Sequence, residues 1–206
     1  MVLRDIALEL GGGEFVAIMG ESGVGKSTLL NVIAGLDMPD AGCVQLDGVE
    51  LTALDDTRRT LVRRDSIGFV FQAFHLLPHL TVMRNVRLPL DLAGVSPTEA
   101  DRRTRAMLDA VGLAAMALDY PRSLSGGETQ RAAIARAIVH EPVLVLADEP
   151  TGNLDAENAA EVLALLRNQV KQRGAAAVLV THSAAAAEVA DRVYELTAAG
   201  LVPRNL

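Results

Sequence analysis

Eight consecutive residues, Gly20-Glu21-Ser22-Gly23-Val24-Gly25-Lys26-Ser27, fit the pattern G-x-x-x-x-G-K-[ST], and the chemistry of that pattern is the cradling of phosphate groups. Glycines at 23 and 25 let successive backbone N–H groups converge on phosphate oxygens, and the start of a following helix adds the positive end of its dipole. Lys26 can reach the β and γ phosphates, while the Ser27 hydroxyl can hold Mg²⁺. Thr28, next in the chain, belongs to the same binding set. The flanks agree: residues 14–19 (Glu-Phe-Val-Ala-Ile-Met) read as a buried strand, and residues 28–34 as a helix closed by Gly35.

Three further polar groups follow apolar runs. Val143-Leu144-Val145-Leu146-Ala147 leads into Asp148-Glu149, two adjacent carboxylates of which only the first points readily at a metal. Asp148 would hold Mg²⁺, an ion that keeps several waters and recruits few protein carboxylates, and Glu149 would act as general base on a water. Gln72 ends the run 67–71 and can ligate Mg²⁺ and contact the attacking water through its amide oxygen. His182 follows the run 177–181, and a neutral ring can hydrogen-bond a γ-phosphate oxygen. Leu124-Ser125-Gly126-Gly127-Glu128 carries two readings. Ser-x-x-Glu before an apolar-periodic run is a capping box. Two glycines in a first helical turn each cost about 1 kcal/mol against alanine, which capping does not require, and a phosphate held by Ser125, Gly126 and Gly127 would supply a reason. His75, His79, His140 and His182 lack the spacing of a zinc site.

Strands and helices alternate around these groups. Residues 6–10 alternate apolar and polar, predicting a half-buried strand before the Gly11-Gly12-Gly13 turn; residues 42–48 predict a hairpin arm turning at Asp47-Gly48. Between about 73 and 123 the pattern becomes helical, broken by Pro78, Pro89, the 94–97 stretch, Gly112 and Pro121. A helix over 126–140, a strand over 143–147, a helix over 156–173 and a strand over 177–181 follow. This predicts an α/β fold with a mainly parallel sheet and helices on both faces. In such sheets ligands sit beyond the carboxyl ends of the strands, so Gly20, Gln72, Asp148-Glu149 and His182 are expected to share one cleft.

The bulk numbers bound the reading. With 206 residues, half of them hydrophobic, the chain can bury a sizeable core as one domain. A net charge of −7 without a basic cluster disfavours nucleic acid. Cys43 is the single cysteine, which excludes an internal disulfide and fits a reducing compartment. No signal peptide and no membrane-spanning apolar run is legible, so a soluble, cytoplasmic chain is expected.

Taken together, these residues resemble the nucleotide-binding subunit of an ABC transporter across essentially the whole chain. Residues 20–27 resemble the Walker A loop, Gln72 the Q-loop, 124–128 the signature motif, 143–149 the Walker B strand, Asn153-Leu154-Asp155 the D-loop and His182 the switch histidine. The segments 69–81 and 147–155 are similar to the lipoprotein-release and macrolide-export group. The resemblance implies a P-loop NTPase core of RecA type over 1–72 and 126–206, a small antiparallel β subdomain, and a helical subdomain over 73–125 ending in the signature motif. It implies a Mg²⁺-dependent ATPase with Glu149, His182 and Gln72 as catalytic residues and Ser27, Gln72 and Asp148 on the metal. It also implies a homodimer or paired ATPase subunit, head to tail around two ATP molecules, with Ser125, Gly126 and Gly127 facing the partner's Walker A loop and Asp155 among the cofactor-binding residues. Membrane subunits would dock on the 72–90 region, holding the protein on the inner face of the membrane.

Departures bear on affinity. Relatives carry an adenine-stacking aromatic upstream, whereas this chain has none before Phe15, and the family's first strand is missing, as a start codon set too late or a trimmed chain would produce. Losing a stacking pair worth roughly 0.5–1.5 kcal/mol would weaken binding by up to about tenfold. Ser123 and Thr129 replace residues that are more often Glu or Gln and would soften dimer closure. The competing readings are a poorly binding regulatory module, a DNA-repair or chromosome ATPase, which would need a coiled-coil insertion or a basic surface, and a two-domain translation factor, which would need a second motif set.

Overall fold

A buried strand, β1 (Phe15–Met19), enters the phosphate loop and emerges as helix α1 (Lys26–Ile33). The computed structural model describes residues 3–204. Next come a short hairpin, β2 (Gln45–Leu46) and β3 (Val49–Glu50), helix α2 (Asp56–Ser66) and strand β4 (Ile67–Phe71). The hairpin turns where expected, with Asp47 at φ 48° and Gly48 at φ 77°, the pair of left-handed residues that a two-residue turn of type I′ requires. The chain then leaves the sheet for α3 (Val82–Leu92) and α4 (Pro97–Ala110) and returns through α5 (Gly126–Ile138) to β5 (Leu144–Asp148). Helix α6 (Ala156–Arg173), strand β6 (Ala176–Val180), the single turn α7 (Ala184–Ala187) and the pair β7 (Arg192–Thr197) and β8 (Gly200–Arg204) complete it.

Among the described residues the main sheet runs β4-β5-β6-β1-β7-β8, parallel throughout except for β8, which pairs antiparallel at the edge. Pro203 sits in that edge strand, where its missing N–H costs no ladder bond. Side chains alternate between two cores. Phe15, Ala17 and Met19 join the layer of α3 to α6, whereas Val16 and Ile18 face α1 through Leu29, Leu30 and Ala34. Both faces are covered, which is why the parallel strands read as continuous apolar runs.

Two sequence expectations need correction, and two elements carried no expectation. Residues 6–10 form no ladder; Ile6, Leu8 and Leu10 nevertheless pack on the α1-side core while Ala7 and Glu9 are exposed, so the alternation reported burial rather than pairing. Pro89 does not break its helix but lies inside α3, whose turns on either side are anchored by fully buried Val86 and Leu90. Helix α2 went unforeseen because it buries no residue and therefore shows no apolar stripe; its N-cap Asp55, accepting the Arg58 N–H at 2.8 Å, is its main local signal. The β7–β8 pair was also missed, although Val193, Tyr194 and Leu196 are buried.

Two polar side chains, one buried and one exposed, tie loops to this frame. Asn85 on α3 is fully buried: its carbonyl oxygen accepts the Leu77 N–H at 2.7 Å, and its amide donates to the carbonyls of Leu77, Leu80 and Thr81 at 3.0–3.1 Å. Asp191 accepts from the Phe15 N–H and Arg167, both at 2.8 Å, and from Lys171, tying the start of β1 to α6.

His140, just past α5, contacts the Ile67 carbonyl through Nε2 at 3.3 Å, while its buried Nδ1 has no partner among the described residues. Burial pushes its pKa below the ordinary 6.5, aided by Arg103 and opposed by the Ile67 carbonyl and Asp65. An imidazolium here would bury a second, unpaired N–H. The unfolded chain therefore binds the proton first, so stability is full above pH 6.5 and falls as pH drops below it. Denaturant titrations at about pH 7.5 and about pH 5.5 should show a smaller acid loss for His140→Asn than for the native chain. Equal losses would overturn the assignment.

Candidate functional site

The register of the sheet assembles the site. Phe71 pairs with Asp148, Asp148 with Val180, and Val180 with Ile18, so β4, β5, β6 and β1 end flush at adjacent positions. The next residues out are Gln72, Glu149, Thr181-His182 and Met19-Gly20, which brings the four predicted strand-end groups to one edge.

In the phosphate loop, Gly25 is the N-cap of α1 at φ 109°, a conformation that side-chain-bearing residues rarely adopt, and no side chain caps the helix. The first turn of α1 also contains no acidic residue. Lys26 is 9% exposed, and its Nζ donates to the carbonyls of Gly20 at 2.8 Å and Glu21 at 2.9 Å. Two of its three donors curl the loop; the third, on a buried cation without a carboxylate partner among the described residues, suits an anionic oxygen. Ser27 is exposed beside it and Thr28 half-buried.

At the end of β5, Asp148 remains in the strand while Glu149 turns to φ 48°, its N–H bonded to the Val180 carbonyl at 2.9 Å. This change of direction separates the two carboxylates. The Glu149 side chain is 17% exposed and meets Nδ1 of His182 at 2.6 Å, joining the ends of β5 and β6. A neutral ring donating from Nδ1 leaves Nε2 an acceptor, so the expected bond to a phosphate oxygen requires the proton on Nε2, freeing Glu149, or the imidazolium. Gln72 is exposed and contacts Asn153, whose Nδ2 donates to the Gln72 carbonyl at 2.9 Å.

Among the described residues no hydrogen bond joins the Ser125 region to residues 20–28. Its capping box is formed: Glu128 N–H donates to Ser125 Oγ at 3.3 Å, and Ser125 N–H donates to the Glu128 carboxylate at 2.7 Å. The glycines have a reason inside the chain as well. A Cβ on Gly127 would stand 2.8 Å from Asn158 Oδ1, and one on Gly126 would stand 3.2 Å from Leu154. Close helix packing thus accounts for Gly127 without a phosphate. The Gly126 and Gly127 amides are still first-turn donors that the helix itself does not use. Asp155 is the N-cap of α6, accepting the Asn158 N–H at 3.0 Å, and this bond lowers its pKa.

Sequence reasoning missed Arg136. Phe74 and His75 both hold left-handed conformations, φ 60° and 50°, and the half-buried Arg136 of α5 donates to their carbonyls at 2.8 and 2.5 Å. No local signal marks an arginine on one helix as the clamp of a loop sixty residues earlier.

Among the described residues no three His, Cys, Asp or Glu side chains gather as a metal cage. A hydroxyl, an amide oxygen and one carboxylate, on Ser27, Gln72 and Asp148, would make up a sparse all-oxygen donor set of the kind that Mg²⁺ takes.

A family model described as ABC transporter matches residues 3–152. The lipoprotein-releasing system ATP-binding protein LolD of Saccharophagus degradans is 47% identical over 197 residues, 96% of this chain and 86% of that protein. YknY of Bacillus subtilis, an ABC transporter ATP-binding protein, is 45% identical over 99% of this chain and 88% of its own. The dimeric ATP-binding cassette MJ0796, in a post-hydrolysis state with ADP and Pi, superposes with a TM-score of 0.86 at 41% identity, covering 97% of this chain and 88% of that one. A phosphate loop beside paired carboxylates on a parallel sheet, matched in sequence and in fold over nearly the full length, leaves one conclusion: the chain belongs to the ABC transporter family and is an ATP-binding subunit.

Proposed function

We propose that this subunit hydrolyses ATP with Mg²⁺ and couples head-to-tail dimerisation to movement of membrane subunits in a lipoprotein-release or macrolide-export-like system. The observation that carries the reading is the flush register of β4, β5, β6 and β1, which sets Gln72, Glu149, His182 and the phosphate loop side by side. The amides of residues 20–28 and Lys26 hold the triphosphate. Ser27, Asp148 and Gln72 would hold Mg²⁺, which neutralises charge on the β and γ oxygens when bound. Glu149 takes a proton from the attacking water, and His182 orients Glu149 and faces the γ-phosphate. Ser125, Gly126, Gly127 and Asp155 would meet the nucleotide of the opposite subunit.

The division into a core, 1–72 and 126–206, and a helical unit, 73–125, is part of this proposal. A cavity of about 310 Å³ bordered by His79, Met83, Arg84, Leu118 and Tyr120 supports docking of membrane subunits on the 72–90 region. Leu118 is 79% exposed there, so a partner helix with apolar and acidic side chains fits. Among the described residues no helix is long and apolar enough to cross a membrane, consistent with a place on the inner face held through partners.

Sedimentation velocity and a phosphate-release assay, each with ATP in the presence and absence of Mg²⁺, test the reading. ATP cleavage that requires Mg²⁺, together with a nucleotide-dependent dimer, is expected. A chain that stays monomeric and releases no phosphate would sink it.

A further inference from the structure

We infer that Gly152 and Asn153 are positioning residues for Gln72, deciding which end of its amide faces the cleft at the strand ends. The inference rests on the proposed ATP chemistry for its kinetic consequence alone. Phe71 and Asp148 are register partners, so Gln72 and the turn after β5 leave the sheet side by side. That turn is closed by the Gly152 N–H donating to the Glu149 carbonyl at 3.0 Å and the Leu154 N–H to Thr151 at 3.1 Å. Asn153 then uses both ends of its amide on one neighbour: Nδ2 donates to the Gln72 carbonyl at 2.9 Å, and Oδ1 accepts from Gln72 Nε2 at 3.4 Å. With Nε2 turned toward Asn153, Oε1 is the end left to face the cleft, and it is the end that can bind a cation or accept from water.

Gly152 is the floor beneath that arrangement. A Cβ there would stand 2.6 Å from Gln72 Nε2, 3.0 Å from Cδ and 3.3 Å from Cγ, so its three nearest atoms all belong to the Gln72 side chain. Gly152 does not occupy the left-handed region, so alanine suits its backbone. The obstructed atoms are the mobile end of an exposed side chain, which can swing away without disturbing the core. Gly152→Ala is therefore a substitution whose main structural effect is to evict one amide. The clasp also joins the loop after β4 to the turn that leads into Asp155 and α6, so a shift in either segment repositions the other's polar groups.

The experiment uses the full chain with ¹⁵N-labelled glutamine side chains, the Gln72 amide resonance being assigned by its loss in Gln72→Ala. In Gly152→Ala and Asn153→Ala that resonance should move or broaden, while the thermal midpoint of Gly152→Ala stays at the native value. Turnover of ATP should fall about 10- to 100-fold in kcat, with KM changing less than about threefold, as expected for a misplaced group near the reacting atoms. In a Gln72→Ala background, Gly152→Ala should cause no further loss. An unmoved Gln72 resonance in both variants, or an added loss of turnover in the double variant, would overturn the inference. A native chain without turnover would defeat the ATPase reading instead, and the resonance would still decide the positioning.

Discussion

Glu149→Gln is expected to lower ATP turnover by about 10²- to 10⁴-fold while leaving nucleotide binding and the fold intact, the range over which a positioned base accelerates proton transfer. Glutamine keeps the shape of the side chain and can still accept from His182 Nδ1, which now meets Glu149 at 2.6 Å. It cannot accept a proton from water. The left-handed backbone at residue 149, φ 48°, and the bond from its N–H to the Val180 carbonyl at 2.9 Å do not depend on the carboxylate, so the turn should persist. The thermal midpoint should accordingly shift by no more than about 2 °C, since no buried group loses a partner. With the base disabled, ATP and Mg²⁺ should hold the dimer for longer than in the native chain, which sedimentation would read directly. Phosphate release at the native rate would remove Glu149 from the role of base.

The second large effect concerns stability. Gly68, in the middle of β4, lies so close beneath α5 that a Cβ would stand 2.0 Å from the Ala137 carbonyl oxygen, 3.0 Å from its carbon and 3.2 Å from Pro142 Cγ. Two of these atoms are backbone and cannot rotate aside. Relief would require shifting α5, whose Ile134 and Ile138 are fully buried against the same core. Replacing glycine by alanine at an unobstructed site stabilises by about 0.4–1 kcal/mol through the unfolded chain, so the sign here is reversed. Gly68→Ala is expected to cost about 3 kcal/mol or more by overpacking. At roughly 2–4 °C per kcal/mol for a chain of this size, the thermal midpoint should fall by about 6–12 °C. A midpoint unchanged within about 2 °C would mean that β4 and α5 are not packed at this distance. Because α5 carries the Ser125 cap at one end and the Arg136 clamp along its length, ATP turnover in the surviving folded fraction should fall as well.

Much of the fold was legible because its signals are local. The turn at Asp47-Gly48 needs only two residues that tolerate left-handed backbone, and α6 spans 156–173 as predicted because an N-cap aspartate and a terminal glycine bracket it. Strands β1, β4, β5 and β6 announced themselves as apolar runs because helices cover both faces of a parallel sheet. Helix α2 buries nothing, and residues 6–10 bury alternate side chains without pairing; in both, apolar periodicity reports burial and not backbone hydrogen bonding. The two signature glycines illustrate the opposite difficulty. Their cost was visible in sequence, but its cause divides between a first-turn anion site and contact with Leu154 and Asn158, residues some thirty positions away.

What the amino-acid order determined by itself was the set of chemical parts: a glycine loop with Lys26 and Ser27, adjacent carboxylates at 148 and 149, and Gln72 and His182 each ending an apolar run. Those parts depend on residue type and near-neighbour spacing, which a linear pattern carries in full. Three-dimensional packing set the order β4-β5-β6-β1 that makes them neighbours, the partnership of Glu149 with His182, the amide clasp between Gln72 and Asn153, and the Arg136 grip on Phe74 and His75. Each of these joins segments roughly thirty to eighty residues apart, where strand order and register set the separation and no local propensity encodes it.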